Sequence, residues 1–190
     1  MNAMWQLYKN RFSPETCNRI INLAKLLPEE DAKMGSDTPT IDTSYRSSRV
    51  RFIPHVHKDF SDLFLDISDM FHECNKLAFG VDLWTLTNIQ FTEYKADYVG
   101  KYEWHTDVLW GSTTMHHRKL SMVIQLTDPL EYEGADLEIK TLFLDPPPQE
   151  DLKKQGAVVV FPSFLLHRVT PITKGTRYSL VAWMDGPKWK

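Results

Sequence analysis

From Gly80 onwards the chain is a succession of short β-type runs, and this feature constrains its possible folds most strongly. The runs are rich in β-branched and aromatic residues, and turn-like stretches of glycine, proline and aspartate separate them. They are WTLTNIQFTEY, YEWHTDV, KLSMVIQLT, ADLEIKTLF, GAVVVFP, LLHRVTPI and TRYSLVAWM. The proline run at residues 146–148 is interpreted as a stiff connector. About seven strands with few helical interruptions predict an antiparallel sandwich or jelly roll.

Two amphipathic helices are predicted before this β-rich region. The first has Ser13 as its N-cap and Pro14 at its first position, with apolar residues at helical spacing as far as Leu27. The second covers residues 59–79, where apolar residues again recur at helical spacing. Both cysteines of the chain lie on these apolar helix faces, so we expect their thiols to be reduced and buried.

A loop and one strand are predicted between the two helices. Residues 28–43 are mostly polar and predict the loop. The following stretch, SYRSSRVRFIP, alternates as a strand does, with Val50 and Phe52 on one face and Arg49 and Arg51 on the other.

Length and composition fit a single intracellular domain. We expect residues 1–190 to form one domain, with 1–80 as a helical support that includes the early strand and 81–190 as the jelly-roll core. No apolar run approaches the roughly 20 residues that cross a bilayer, and the first residues are too polar for a signal peptide, so we expect a cytoplasmic protein without a membrane partner. A net charge of −3 with scattered basic residues argues against nucleic acid as a partner.

Two histidine-x-acid triplets occur, and composition alone would produce such a triplet by chance. HKD, at residues 57–59, lies at the start of the second helix, where residues two apart do not face each other and the helix dipole explains the acidic residue. HTD, at residues 105–107, lies in an extended run, where side chains at i and i+2 point to the same side and can chelate one metal ion. The histidines predicted to be exposed to solvent are His55, His72, His116 and His117.

The pair formed by His105 and Asp107 needs a third ligand, for which His167 is the candidate. Taken alone, a histidine among aliphatic residues is more often a hydrogen-bonded core residue. Arg177 and Ser179 share a strand face with apolar residues, so the arginine points inward and needs a carboxylate, from an internal ion pair or from a ligand. Together these residues favour a two-histidine, one-carboxylate site, which leaves three positions open on Fe(II); zinc would need fewer.

At these residues the sequence resembles a known family. His105-x-Asp107, the distal His167, and Arg177 with Ser179 match the H-x-D…H…R-x-S pattern of the Fe(II) and 2-oxoglutarate dependent dioxygenases. The stretches YVGKYEWHTD, RKLSMVIQLTDPLEYEGADLEI and GAVVVFPSFLLHRVTPITKGTRYSLVAW resemble its prolyl 4-hydroxylase-like branch, of the PKHD-type hydroxylase kind. The resemblance covers roughly residues 94–183, about half of the chain.

The resemblance implies a fold and a set of site residues. The fold is a double-stranded β-helix, a cupin-like jelly roll with N-terminal helices. His105, Asp107 and His167 are expected to bind Fe(II). Arg177 is expected to pair with the distal carboxylate of 2-oxoglutarate, with Ser179 or a tyrosine hydroxyl completing that contact. O2 is the expected oxidant and ascorbate the expected reductant.

Two departures from the family pattern affect these expectations. The turn between Tyr94 and Tyr102 is longer than is common in the family, which leaves open whether Tyr94, Tyr98 or Tyr102 contacts 2-oxoglutarate. Ala135 stands where glycine is usual, a difference expected to have little consequence.

The activity implied by the resemblance is hydroxylation of an unactivated C–H bond with release of succinate and CO2, and a prolyl residue of a peptide or protein is the favoured substrate. A free amino acid or another small molecule is an alternative, and so is a non-catalytic jelly roll that senses 2-oxoglutarate or metal. Asp107 disfavours a halogenase, because halogenases lack this carboxylate. Trp183 stands where nucleic-acid demethylases carry a second arginine, which disfavours base repair.

Overall fold

The computed structural model describes residues 4–32 and 42–190, which form two antiparallel sheets and three α-helices. The helices are α1 (Pro14–Ala24), α2 (Ser61–Cys74) and α3 (Gln149–Leu152), with 3-10 turns at Lys58–Phe60, Ala96–Tyr98 and Pro129–Glu131 and a π turn at Asn75–Phe79. The strands are β1 (Gln6–Tyr8), β2 (Glu30–Asp31), β3 (Arg46–Ser47), β4 (Arg49–Ile53), β5 (Thr85–Lys95), β6 (Lys101–His105), β7 (His116–Gln125), β8 (Tyr132–Gly134), β9 (Leu137–Ile139), β10 (Val158–Pro162), β11 (His167–Val169) and β12 (Ile172–Pro187).

The two sheets face each other as a jelly roll. The larger sheet has the order β1-β10-β7-β12-β5-β4-β2, with β8 paired to β12 beside it, and the smaller sheet has the order β3-β6-β11-β9. Apolar side chains from both sheets form one core between them; they include Val123, Phe161, Leu137 and Val169. Each of the seven runs predicted from the sequence contains one of these strands, so the predicted fold class is confirmed.

The helices cover the outer face of the larger sheet. Alternation along β7 and β12 sends Leu120, Met122, Ile124, Leu180 and Ala182 to this face, where the apolar stripes of α1 and α2 bury them. α1 begins as predicted, because the Ser13 hydroxyl accepts a hydrogen bond of 3.2 Å from the Thr16 backbone N–H. The second helical segment ends at Gly80, whose φ of 61° lies in the left-handed region that closes a helix.

Several local predictions are corrected by long-range pairing. SYRSSRVRFIP forms two strands rather than one: β3 joins the smaller sheet and β4 the larger. The predicted loop at residues 28–43 contains β2, while residues 33–41 lie outside the described part of the chain. β1, β2 and β8 were not predicted, because strands of two or three residues carry no periodicity and exist only through their partners.

Further predictions about individual segments can be judged directly. The strand predicted over residues 135–143 is only β9, three residues long. Within β4 the predicted alternation holds, since Phe52 lines the cavity described below while Ile53 packs toward the helices. Arg51 is nevertheless buried, where it pairs with Glu29.

Both cysteines are free and fully buried, as expected. Burial raises the pKa of the Cys17 thiol to about 11, and it also raises the pKa of Cys74, so both thiols are protonated near neutral pH. Within residues 4–32 and 42–190, no helix combines the length and the apolar character needed to span a bilayer.

Ala135 has a strained backbone conformation, although the difference from the usual glycine was expected to have little consequence. Its φ of 47° lies in the left-handed region, which costs an L-residue roughly 1–2 kcal/mol, and its side chain is buried. Gly134 before it has a φ of 78°, and a Cβ there would lie 2.4 Å from the Pro171 carbonyl oxygen. The alanine where glycine is usual is therefore a strained position and not a neutral one.

We predict that Ala135→Gly stabilises the protein by about 0.5–1 kcal/mol, because glycine adopts the left-handed conformation without a Cβ penalty. The matched control is Ala182→Gly, which removes a buried methyl group from the interior of β12 and should destabilise the protein. Urea denaturation of both variants measures the two effects. Destabilisation by both changes would show that the backbone at residue 135 is not strained.

We also predict that Ile67→Ala lowers the free energy of unfolding by about 2–5 kcal/mol, because Ile67 is fully buried between α2 and the larger sheet. Leu65 has a side chain of the same size on the same helix but is 66% exposed, so Leu65→Ala should change stability by no more than about 0.5 kcal/mol. Thermal and urea denaturation compare the two variants. Equal losses of stability in the two variants would contradict the burial of Ile67 and the exposure of Leu65 on α2.

Candidate metal centre and active site

Two strands of the smaller sheet bring the two predicted histidine ligands together. His105 ends β6 and His167 begins β11, and the two residues are direct partners in the antiparallel pairing of these strands. Their ring centroids are 4.1 Å apart. Antiparallel partners project their side chains to the same face of a sheet, so the 61 residues between them in the sequence do not separate the imidazoles.

Asp107 reaches the same point from just beyond the end of β6. The strand ends at His105, three residues before the end of the predicted run YEWHTDV, and the chain then bends. The Asp107 backbone N–H donates a 2.9 Å hydrogen bond to the Ser163 carbonyl, which fixes the bend. One ligand atom each from His105, Asp107 and His167 lies within 4.8 Å of the other two, so the structure brings the three predicted metal ligands together.

Backbone carbonyl groups orient both imidazoles. His105 Nδ1 lies 2.8 Å from the Glu103 carbonyl oxygen, and His167 Nδ1 lies 2.9 Å from the Leu165 carbonyl oxygen. A carbonyl only accepts, so Nδ1 of each ring carries a proton, and the neutral form of such a ring presents the Nε2 lone pair. The Nε2 atoms face the Asp107 carboxylate at 3.8 Å for His105 and 3.5 Å for His167. This is the tautomer that binds a metal through Nε2.

A pair of buried serines holds the Asp107 carboxylate. Ser121 Oγ donates a 2.6 Å hydrogen bond to Asp107 Oδ2 and lies 2.9 Å from Ser163 Oγ. Both serines are fully buried. The sequence analysis missed Ser121, although it occupies an inward position of β7 among apolar neighbours, and a polar residue at such a position is a recognisable sign of a site.

The electrostatics of the cluster suit a divalent cation. Burial, followed by the adjacent His167, lowers the pKa of His105, so this ring is neutral at physiological pH. Burial alone would raise the pKa of Asp107, but the positive charge that His167 and His105 can carry lowers it overall, so the carboxylate is ionised. A neutral imidazole beside a buried anionic oxygen is a metal-binding donor set without a competing proton.

The cluster lies on the wall of a cavity of about 210 Å³ between the two sheets. Arg177 lines the same cavity and is 3% exposed; its Nε donates a 2.8 Å hydrogen bond to Gln125 Oε1. Within residues 4–32 and 42–190, no carboxylate forms an ion pair with Arg177, so the internal ion pair weighed from the sequence is not found there. Ser179 is buried on the same face of β12 and also lines the cavity.

The structure distinguishes among the three tyrosines considered from the sequence. Tyr94 is the partner of Arg177 across β5 and β12, lines the cavity, and has its ring centroid 5.7 Å from the guanidinium carbon. Tyr102 also lines the cavity and stacks on His105 at 3.5 Å between ring centroids. Tyr98 is not on the cavity wall, and its hydroxyl donates to the Glu93 carbonyl at 3.1 Å.

Arg46, Arg118 and Trp183 also line the cavity, and the sequence analysis did not identify them as site residues. The Arg46 guanidinium carbon lies 4.3 Å from the Tyr102 ring centroid, and that of Arg118 lies 3.9 Å from the Trp183 ring centroid. All of these side chains line the cavity. Arg46 could not be found by pattern, because β3 is too short to show which face it presents.

A second cavity of about 240 Å³ adjoins the first and shares Asp107, Leu109 and Arg118 with it. His116 lines this cavity and contacts Asp185 at 3.2 Å between Nε2 and Oδ2. His117 is buried, contrary to the prediction, because the Trp189 backbone N–H covers it and donates to its Nδ1 at 3.3 Å. The other three histidines predicted to be exposed, His55, His72 and His116, are exposed.

Comparisons with known proteins agree with this architecture. The chain is 35% identical to a PKHD-type hydroxylase of Synechococcus sp. (strain CC9311) over 96 residues, which cover 50% of this chain and 41% of the relative. It superposes on a prolyl-4-hydroxylase from Pseudomonas putida with a TM-score of 0.73 and 16% identity, covering 97% of this chain and 94% of the other. It superposes on a prolyl hydroxylase from Trichoplax adhaerens, in complex with a hypoxia inducible factor peptide fragment, with a TM-score of 0.74 and 14% identity, covering 95% and 83%.

The sequence identity of these matches and the share of each chain that they cover determine whether they show the fold or the family. The two solved structures share the fold at low identity, and the chain spans less than half the length of the curated relatives it matches. The sequence model of the 2OG-Fe(II) oxygenase superfamily matches residues 89–185, which run from β5 into β12 and include His105, Asp107 and His167. This match spans half of the chain, and the chain therefore belongs to the 2OG-Fe(II) oxygenase superfamily.

Proposed function

We propose that the chain is an Fe(II)- and 2-oxoglutarate-dependent dioxygenase that hydroxylates an unactivated C–H bond. One observation carries the proposal: a buried two-histidine, one-carboxylate cluster and a buried arginine without a carboxylate partner among the described residues line the same cavity. The first group suits a metal with open positions and the second suits a dicarboxylate. A core histidine and a structural ion pair would not need to share a cavity.

His105, Asp107 and His167 are the residues that would hold the iron. Two imidazole nitrogens and one carboxylate oxygen form the facial donor set typical of non-haem Fe(II) oxygenases. The carbonyl groups behind the rings and the Ser121 hydroxyl on Asp107 keep these atoms in place before a metal binds. Bound iron would supply the oxidative decarboxylation of 2-oxoglutarate and the hydroxylation of the substrate.

Arg177 is the residue that would bind the distal carboxylate of 2-oxoglutarate. A buried guanidinium is costly unless a carboxylate compensates it, and its hydrogen bond to Gln125 uses only the Nε donor. Gln125 is itself held by donating from Nε2 to the Thr127 carbonyl at 2.9 Å. The remaining guanidinium donors, with Ser179 and Tyr94 beside them, form a preorganised carboxylate site.

The rest of the cavity wall suits the exclusion of water around the reacting atoms. Its apolar side chains come from both sheets and are Val123, Leu137, Val169 and Val181. Phe52 and Leu109 line the cavity but are 43% and 44% exposed, so they mark the side from which a substrate would enter. A substrate seated between this entrance and the cluster would present a C–H bond to the metal centre in a largely dry environment.

A prolyl residue of a peptide or protein is the substrate we favour. The solved neighbours are prolyl hydroxylases by name, and one was crystallised with a peptide. O2 would be the oxidant, and ascorbate would serve as the reductant that maintains ferrous iron. Incubating peptides and free amino acids with the protein, iron, ascorbate and 2-oxoglutarate, and searching by mass spectrometry for the gain of one oxygen atom, separates peptide from small-molecule substrates.

We predict that His105→Ala and Asp107→Ala each abolish the conversion of 2-oxoglutarate to succinate that occurs without a primary substrate, because each removes one of three iron ligands. The matched controls are His72→Ala and Asp66→Ala, which change exposed residues of the same types on α2 and should retain the conversion. Succinate is quantified by chromatography. Retention of the activity in both site variants would reject the metal-site assignment, and a jelly roll that binds without turnover would show none in the unaltered protein.

We predict that Arg177→Ala raises the concentration of 2-oxoglutarate needed for half-maximal turnover far more than the concentration of iron. Losing one partner of a buried charged pair costs about 2–5 kcal/mol, which corresponds to a roughly thirtyfold or larger effect. Arg19→Ala, at an exposed arginine of α1, is the control and should change neither requirement. An unchanged requirement for 2-oxoglutarate in Arg177→Ala would mean that another residue holds its carboxylate.

A further inference from the structure

Positive charge is in excess on the cavity wall. Three arginines line the cavity, Arg46, Arg118 and Arg177, whereas Asp107 is the one carboxylate among its described lining residues. Under the proposed function, the metal uses Asp107 and 2-oxoglutarate uses Arg177. Among the described lining residues of this cavity, no further carboxylate is then available to Arg46 and Arg118, and a charge without a close partner is costly in a partly enclosed space. Asp185 lines the adjoining cavity with Arg118 and interacts with it without a hydrogen bond or ion pair.

Of these two arginines, Arg46 is already held in place. Its Nε donates a 3.0 Å hydrogen bond to Ser48 Oγ, its guanidinium packs on the Tyr102 ring, and it is 9% exposed. Ser48 therefore anchors Arg46 at its Nε and Tyr102 at the face of its guanidinium, and Arg46 does not line the second cavity.

Arg118 is different, because its guanidinium is oriented but not bonded. It lies 3.9 Å from the Trp183 ring centroid, and its side chain makes no hydrogen bond or ion pair with any residue that the structure describes. Stacking on Trp183 fixes the plane of the guanidinium and leaves its N–H edge available. Asp185, its partner in the β7–β12 pairing, is in contact with His116.

The position of Arg118 places it beside the reacting centre. It lines both cavities together with Asp107 and Leu109, so it stands where the first cavity opens into the second. It also lies three residues before Ser121 on β7, whose hydroxyl holds Asp107. A ligand group bound at the guanidinium edge would therefore lie next to the metal centre, within reach of the entrance.

We propose that Arg118 binds a carboxylate of the primary substrate and thereby selects substrates that carry an anionic group next to the hydroxylated carbon. This inference rests on the proposed function and extends it to substrate choice. A planar guanidinium with a free edge matches a carboxylate through two parallel hydrogen bonds, and a neutral amide can supply only one acceptor oxygen. The carboxylate can be the α-carboxylate of a free or C-terminal residue, or the side chain of an acidic residue beside the target.

The test compares ligands that differ only in this charge. One pair is N-acetyl-L-proline and N-acetyl-L-prolinamide; the other is acetyl-Ala-Pro-Glu-amide and acetyl-Ala-Pro-Gln-amide. Binding is measured by calorimetry on the protein loaded with Zn(II) and saturating 2-oxoglutarate, which does not turn over. We expect the acid of at least one pair to bind roughly ten- to a hundredfold more tightly than its amide, as is typical for a hydrogen bond to a charged group. A preference in the first pair identifies an α-carboxylate, and in the second an acidic side chain.

Variants assign this preference to Arg118. Arg118→Gln should bring the affinities of acid and amide together, Arg118→Lys should retain part of the difference, and the control Arg19→Gln should retain all of it. Circular dichroism shows whether each variant is folded. If Arg118→Gln does not fold, the comparison is made with Arg118→Lys. If the preference persists in Arg118→Gln, Arg118 is not the receptor.

The proposal is also overturned if no acid binds more tightly than its amide in the unaltered protein, including the case in which neither member of either pair binds. This failure is distinguishable from failure of the proposed function. The conversion of 2-oxoglutarate to succinate without primary substrate depends on the metal and co-substrate residues alone, so its presence upholds the proposed function whatever the ligand pairs show.

Discussion

The pairing of β6 with β11 is the contact on which the site depends. These two short strands make His105 and His167 direct neighbours, and the bend after β6 then brings Asp107 to both imidazoles. Neither strand is stable alone, since a strand of three to five residues gains little from its own hydrogen bonds. The larger sheet and its helices supply the buried apolar area that holds the smaller sheet in register. The geometry of the site therefore depends on the packing of the larger sheet and its helices.

Alternation along the central strands sends apolar side chains to the helices and a mixture of apolar and polar side chains into the space between the sheets. On β7, Leu120, Met122 and Ile124 face the helices, while Ser121 and Gln125 face inward and hold Asp107 and Arg177. The same backbone thus builds the core and orients the site, because successive side chains of a strand point to opposite faces. Buried polar groups are stable at these positions because each is hydrogen-bonded.

Much of the fold and of the site could be predicted from the sequence, for identifiable reasons. The helices over residues 13–27 and 59–79 were predictable because helical spacing and capping are local properties, and their cores are α1 and α2. His105, Asp107, His167 and Arg177 were predictable because together they match the H-x-D…H…R-x-S pattern of a known family, although His167 alone would more often be a core residue. Arg46, Arg118 and the burial of His117 were not, since each depends on which strand or terminal residue packs against it. The strain at Ala135 was missed because a backbone angle leaves no trace in a residue's type.

The sequence by itself determined the fold class, the order of the longer strands and the two N-terminal helices, and the residue types available for metal and dicarboxylate binding, since periodicity and spacing are local properties of the chain. The tertiary structure alone decided which strand joins which sheet, that SYRSSRVRFIP divides between the two, and that Tyr94 rather than Tyr98 accompanies Arg177. It also decided that two guanidinium groups other than Arg177 line the cavity. The physical reason is that register and charge balance are properties of contacts between distant segments, and no local pattern records them.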